Sequence, residues 1–411
     1  MTRPASLEVA SPSILDDLPA PFQDAGSVDI TKRLQLESQQ CDDTADEVDP
    51  LLTEMFGGLP RCDQRRAAAA YVRGLLCDNT KKSIRAMAES TQTQSQTLQQ
   101  FVGQSTWQVG PVRQGIAKLL AKTHDPNSWV IADTNFSKTG SHSAGVARQY
   151  VPELGRSLNC QRALTIVTTG AIRNAASWRM VIPSVWNHDE ARRKRARLPT
   201  DQLSRDRLSY VLELVDELSL EWNLLPKPIV VDMQHEPGAT ALADALDCRG
   251  LSYLIGITGS HLAAVRVASR PAVRSGVIRE IPVASIALAT SAAPRFTHTV
   301  SGPQNKTRRT QFYSHPLAKL DHRDTSLTAG DRMLLIDWPY SKPDPARWWL
   351  TNLDEDLSAL AKRLSDQLHA QHAVTVLAQR CGLHDYEGRS YTGWNHHVTM
   401  SAAALAYLQL R

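Results

Sequence analysis

Two aspartates stand where a carboxylate can do metal chemistry. Asp133 lies in WVIADT (129–134) and Asp232 ends the apolar run of PIVVDM (228–233). Acids at neighbouring strand ends can hold two divalent cations roughly 4 Å apart for in-line attack on a phosphodiester. The same residues could instead serve as helix caps or surface ion pairs. His235 and Glu236 follow Asp232 within four residues and bring an imidazole and a carboxylate beside it, groups suited to acid/base or metal work.

The elements that must position these groups follow from periodicity. WVIADT (129–134), AGVARQYV (144–151), RALTIVTTG (162–170) and WRMVIPS (178–184) read as four short strands, with SKTGSHS as a loop between the first two. From about Arg205 to Trp222, the apolar positions Leu208, Val211, Leu212, Val215, Leu218 and Trp222 recur at helical spacing. PIVVDM then reads as a buried central strand, followed by a helix from about Ala239 to Cys248 and a strand at YLIGIT. A long amphipathic helix is expected from about Asp356 to Gln379. An antiparallel meander, a helix, a central strand ending in Asp and a late helix describe an α/β protein. Its expected core is an RNase-H-like mixed sheet with flanking helices.

The chain is expected to divide into five parts. Residues 1–45 read as a disordered acidic leader and 46–125 as a helical N-terminal domain, where Ala67, Ala70, Tyr71, Gly74 and Leu75 share one side of a helix. Ser90–Gln100 reads as a loop within it. Residues 126–263 hold the first part of the core, 264–340 a β-rich insertion without a clear helix, and 341–411 the C-terminal helices.

Composition bounds the class. The chain has 411 residues, 42% apolar and 21% charged, as expected of a globular protein with a sizeable core. No apolar stretch reaches the roughly 18 residues of a membrane span, and the acidic first thirty residues do not resemble a signal peptide. A cytoplasmic location without membrane association is expected. Six cysteines, at 41, 62, 77, 160, 248 and 381, form no C-x-x-C, which argues against a zinc site or a disulfide framework. Residues 1–60 carry a net charge of −9 and the remainder +13. A basic body suits a phosphate-binding surface, and the acidic leader could cover it.

Several colinear motifs resemble the bacterial insertion-sequence transposases of the DDE superfamily, in the group named after insertion sequence 701. They are DQRRAAAAYVRGLL with KKSIRAMA (63–88), LQQFVGQSTW (98–107), WVIADTNFSKTGSHSAGVARQY (129–150), WNHDEARRKRARLP (186–199), PIVVDMQ (228–234) and GLHDYEGRSYTGWNHHVTM (382–400). The resemblance implies that Asp133 and Asp232 are the first two catalytic acids, with Mg2+ or Mn2+ as cofactor and DNA as partner. Lys138, in the D-T-x-F-x-K context, would reach a phosphate. The family's third acid lies in an R-x-x-x-E-x6-K pattern that falls here on Gln367, Gln371 and Ala378, so all three positions are replaced. Gln371 stands three residues after Leu368 and seven after Leu364, on the helix face expected to turn toward the sheet. An amide can ligate a hard cation but supplies no charge.

The second motif also departs, because the family's DAGYGD reads Asp232, Met233, Gln234, His235, Glu236, Pro237 here. Neutral decay and a new acid/base or metal site at His235 and Glu236 both stay open. The run ARRKRAR, with Arg192, Arg193, Lys194 and Arg195, could contact phosphates or could be an exposed helical face. Arg65, Arg66, Lys81 and Lys82 are the expected readers of terminal repeats, and Arg148 joins the candidate DNA contacts. His396 and His397 are adjacent, which fits no metal spacing, and are expected to pack.

Three functions follow from these residues. The favoured one is a DNA-binding transposase-family protein whose strand cleavage and transfer are impaired because Gln371 replaces the third acid. The others are a working transposase with its third acid elsewhere, and a repurposed enzyme using the old metal cleft on a small anionic biosynthetic substrate. A homodimer or another protein partner is compatible with all three.

Overall fold

A computed structural model describes residues 49–78, 81–267, 277–289, 296–301, 307–318, 329–339 and 346–411, so the expected acidic leader lies outside the described residues. Among the described residues five helices come first: α1 (Pro50–Met55), α2 (Cys62–Leu76), α3 (Ile84–Ser90), α4 (Ser95–Gly103) and α5 (Val109–Thr123). The alanine run of α2 combines high helix propensity with a packing stripe, and Ala67, Ala68, Tyr71, Val72 and Leu75 are buried. Its Gly74 is needed, since a Cβ there would stand 2.7 Å from that of Met87. The stretch expected to be a loop at 90–100 is half helical. Leu98, Phe101 and Val102 bury one face of α4 and override its Ser/Thr/Gln composition.

The strands β1 (Ser128–Ser137), β2 (Ala147–Val151), β3 (Arg156–Thr169) and β4 (Asn174–Val181) form the antiparallel meander. After α6 (Glu190–Ala196) and α7 (Arg207–Asp216) come β5 (Ile229–Asp232), α8 (Ala239–Asp247) and β6 (Tyr253–Ile257). β1 pairs β3 antiparallel along its whole length, from Ser128 opposite Thr169 to Ser137 opposite Cys160. It pairs β5 in parallel, Trp129 opposite Ile229, and β5 pairs β6 in parallel. The order β4-β3-β1-β5-β6 is a mixed sheet consistent with an RNase-H-like core.

The region expected to be a β-rich insertion extends this sheet. A two-stranded sheet of β7 (Leu262–Val267) and β8 (Val277–Pro282) leads into a short helix, α9 (Val283–Ala289), that the sequence pattern did not reveal. Then β9 (Phe296–Ser301), β10 (Thr307–Ala318), β11 (Ala329–Pro339) and β12 (Arg347–Thr351) join the main sheet, β12 pairing β6. Two helices end the chain, α10 (Leu357–Arg380) and α11 (Tyr391–Leu410).

Each face of the sheet has its own cover. Val130, Ala132, Val230, Leu254 and Leu335 pack under Leu360, Ala361, Leu364, Ala370 and Ala373 of α10. On the other face Trp129, Ile131, Ile229, Val231 and Ile255 pack under Tyr210, Val211 and Leu214 of α7 and Leu242 and Leu246 of α8. Burying each Val, Leu or Ile side chain among them stabilises by about 1.5–3 kcal/mol relative to exposure.

The helices α1–α5 share a third core with α11. Helix α11 is buried on every side from Gly393 to Tyr407, as a helix packed all round must be. Its polar residues are accordingly partnered. Arg113 of α5 reaches Thr399 Oγ1 at 2.8 Å, Asn395 Oδ1 at 3.0 Å and the Trp178 carbonyl at 3.2 Å, joining α5, α11 and β4. His396 stacks on Trp107 with ring centroids 3.9 Å apart, and its two ring nitrogens each lie 3.0 Å from a carbonyl oxygen, of Val102 and Trp107. His397 accepts from the Tyr71 hydroxyl at 2.9 Å and donates to the Gly382 carbonyl at 2.9 Å, as a neutral ring does. The adjacent histidines therefore pack, as expected. A Cβ at Gly388 or Gly393 would overlap the Tyr386 ring, so the glycines of this segment make room for an aromatic side chain.

Burial pushes the His397 imidazole down to about 4. The unfolded ring takes a proton near pH 6.5, so acid favours the unfolded chain between those values. The stabilisation is complete above pH ~6.5 and is lost as the pH falls through about 4. Urea unfolding at neutral and acid pH should show a smaller acid loss in His397→Gln than in the parent protein. Equal losses would contradict this role.

Candidate active site

Asp133 lies on β1 with alternate residues Trp129 and Ile131, on the face covered by α7. Asp206 caps that helix, its Oδ1 accepting from Ser209 N at 2.8 Å, which leaves Arg207 in the first turn. The Arg207 guanidinium meets Asp133 with two parallel bonds, Nη1 to Oδ1 and Nη2 to Oδ2, both 2.8 Å. Such bidentate, charge-assisted pairs are among the strong hydrogen bonds of proteins. Arg162 of β3 adds a contact from Nη2 to Asp133 Oδ1 at 3.5 Å. Burial opposes the charge of Arg207, but Asp133, with Glu236 and Asp232 beyond it, outweighs burial and raises its pKa above the ordinary value.

Asp232 is differently placed. Alternation carries it with Val230 to the α10 face of the sheet. A Cβ at Gly256, its partner on β6, would stand 2.9 Å from Asp232 Oδ1, so glycine there leaves room for the carboxylate. The same oxygen accepts from Gln234 N at 2.9 Å, turning the chain toward α8. Asp133 lies in the middle of β1 and only Asp232 ends its strand; the two acids point to opposite faces, and the expectation that neighbouring strands would bring the carboxylates together is corrected by the register.

The remaining positions separate further. Leu364 is buried and Leu368 packs against the sheet core, as expected. By Gln371, however, the face has turned. Ala370, Ala373 and Leu377 are buried there, while Gln371 is exposed. The apolar stripe of α10 migrates around the helix along its 24 residues, so spacing from Leu364 does not hold at Gln371. Asp366 is buried instead, accepting from Ser128 Oγ at 2.8 Å at the start of β1, five residues away from Asp133 along the strand. His235 is exposed. Glu236 borders an open pocket of about 430 Å³ whose wall includes Met233, Thr240, Thr258 and His261, but not His235. The His261 Nε2 lies 3.3 Å from Thr240 Oγ1, and burial lowers its pKa.

The candidate DNA contacts divide into two sets. Lys82 is buried and donates to the Cys77 carbonyl, Lys138 donates to that of Tyr386 at 3.0 Å, and Arg65 to that of Leu59 at 2.8 Å. Lys81 pairs with Glu387 at 2.6 Å. In the basic run, Arg192 lies over the Trp186 ring and donates to Ser141 and Val146 carbonyls, and Arg193 is buried against the chain around Trp186 and Pro199. Arg66, Arg148, Lys194 and Arg195 are exposed.

Residues 54–283 match the DDE superfamily endonuclease family, a span that includes Asp133, Arg207 and Asp232 and stops before α10. The chain belongs to that family. No curated protein matches the chain. The family's endonucleases normally use Mg2+ or Mn2+, and the donor set here does not fit such an ion. Both oxygens of Asp133 are taken by Arg207, Asp232 faces the other way, and the third position carries an exposed amide. Among the described residues no group of three or more His, Cys, Asp or Glu could hold a metal ion.

Sequence reasoning missed Arg207, Arg162 and His261. Arg207 follows an N-cap in an amphipathic helix, where an arginine reads as surface charge. Removing one partner of a buried ion pair costs about 3–5 kcal/mol. Asp133 keeps 22% side-chain exposure, so Arg207→Met should cost somewhat less, about 2–3 kcal/mol. Asp133→Asn combined with Arg207→Met should cost clearly less than the sum of the single variants in urea unfolding. Additive losses would contradict the pairing.

Proposed function

We propose that this protein is a cytoplasmic, DNA-binding member of the transposase group named after insertion sequence 701, with strand cleavage and strand transfer impaired. The observation that carries this reading is the state of the acids. Asp133 is neutralised by Arg207, and the position matching the third acid is the uncharged Gln371. Cleavage by this family's chemistry needs carboxylates free to hold divalent ions against their mutual repulsion. Asp133, Asp232 and Gln371 do not present such a set.

DNA binding asks less of the chain. It needs cations that can meet phosphates, and no acid has to be free. Arg66, Arg148, Lys194 and Arg195 are exposed and supply such cations, while Arg65, Lys81, Lys82, Lys138, Arg192 and Arg193 are engaged by the protein's own carbonyls, carboxylate or interior. No helix of the described residues is long and apolar enough to cross a membrane.

Filter binding to duplex DNA across a salt series should show the logarithm of the affinity falling linearly with log salt. Lys194→Ala with Arg195→Ala should reduce that slope by about two. The parent protein should leave supercoiled plasmid intact in Mg2+ or Mn2+. Nicking by the parent protein would overturn the impairment, and a salt-independent or absent affinity would overturn the DNA-binding part.

A further inference from the structure

We infer that Arg207 is the resident counter-cation of the acidic site, occupying by its charge the role that a divalent ion would need Asp133 to serve. The inference deepens the reading of the cleft as an impaired cleavage site, and rests on it only for the identity of Asp133 as the first acid.

Four observations carry it. The pairing is bidentate, with both contacts at 2.8 Å, so neither Asp133 oxygen is left as a free ligand on that side. The guanidinium is enclosed, with 8% of the side chain exposed. It therefore differs from a surface arginine that swings into solvent. Its backbone is anchored, because Asp206 caps the helix immediately before it and Tyr210, Val211 and Leu214 pack the same helix onto Trp129 and Ile131. Finally, Asp133, Glu236 and Asp232 all act on Arg207 with the sign that stabilises its charge. Asp133 is the carboxylate in direct contact, and Glu236 and Asp232 act from further away, so the charge that a metal ion would bring to Asp133 is supplied by a cation that is covalently part of the chain. A guanidinium has five N–H donors and no acceptor, so it balances carboxylates without supplying a Lewis acid.

A divalent ion approaching Asp133 would meet this fixed positive charge, with Arg162 adding a second. Repulsion of that kind at contact distance weakens binding by roughly a hundredfold or more. Removing Arg207 should uncover a cation site at Asp133.

The test is Mn2+ titration by calorimetry on the full chain. The parent protein and Asp133→Asn should give the same isotherm, and Arg207→Met should gain a site, about a hundredfold tighter than any parent binding, that disappears in Arg207→Met with Asp133→Asn. A parent site that Asp133→Asn abolishes would overturn the inference, and so would a folded Arg207→Met that gains nothing. The first comparison stands even where Arg207→Met does not fold. Plasmid nicking gained by Gln371→Glu alone would overturn the counter-cation role while leaving the DNA-binding, cleavage-impaired reading of the parent protein in place. Loss of DNA affinity would do the reverse.

Discussion

The pair between Asp133 and Arg207 is the constraint on which the site depends. A partly buried carboxylate in the middle of a sheet must have a counter-cation. In this chain it is supplied from the first turn of α7, 74 residues further along. The consequence is both structural and chemical. The pair ties the cover helix to the central strand of the sheet, and it removes from Asp133 the free oxygens that phosphodiester chemistry would use. Glu236 and Asp232 strengthen the arrangement from a distance, so that the remaining acidity of the cleft favours the arginine over its departure.

A similar logic runs through the basic and aromatic motifs. GLHDYEGRSYTGWNHHVTM is a packing sequence. Its glycines accommodate the Tyr386 ring, Ser390 caps α11 by accepting from Gly393 N, and His396 and His397 satisfy buried carbonyls. Lys138 serves the same segment by donating to the Tyr386 carbonyl, and burial lowers its pKa. Three of the five cations of ARRKRAR are spent in the same way, since Arg192 and Arg193 hold the turns at 141–146 and 186–199 and Arg197 donates to the Gly103 carbonyl. A family motif can thus persist for its packing when the chemistry beside it has changed.

Much of the scaffold was legible because period and burial coincide in it. Continuous apolar residues at Ile229–Val231 marked a strand buried on both faces, and the spacing of Leu208, Val211 and Val215 marked α7, although the expected helix to Trp222 gives way after Asp216 to a π-helical turn. The late helix was placed to within a residue at each end. What failed depended on relations between elements. The side of the sheet on which each aspartate lies is set by the β1–β5 register, in which Val130 faces Val230. The outward turn of Gln371 depends on how α10 lies across the sheet, and Ala370 and Ala373 show where the contact moved. Arg207 was illegible because its partner is distant in sequence, and α4 was hidden because only Leu98, Phe101 and Val102 mark its buried face.

Which cation Asp133 holds can be observed directly in a crystal structure of the full chain soaked in Mn2+, with anomalous data. The expected result is the Arg207 guanidinium in bidentate contact with Asp133 and no anomalous peak at that carboxylate. A manganese peak bound to Asp133, with Arg207 displaced from it, would show instead that the carboxylate is a metal ligand.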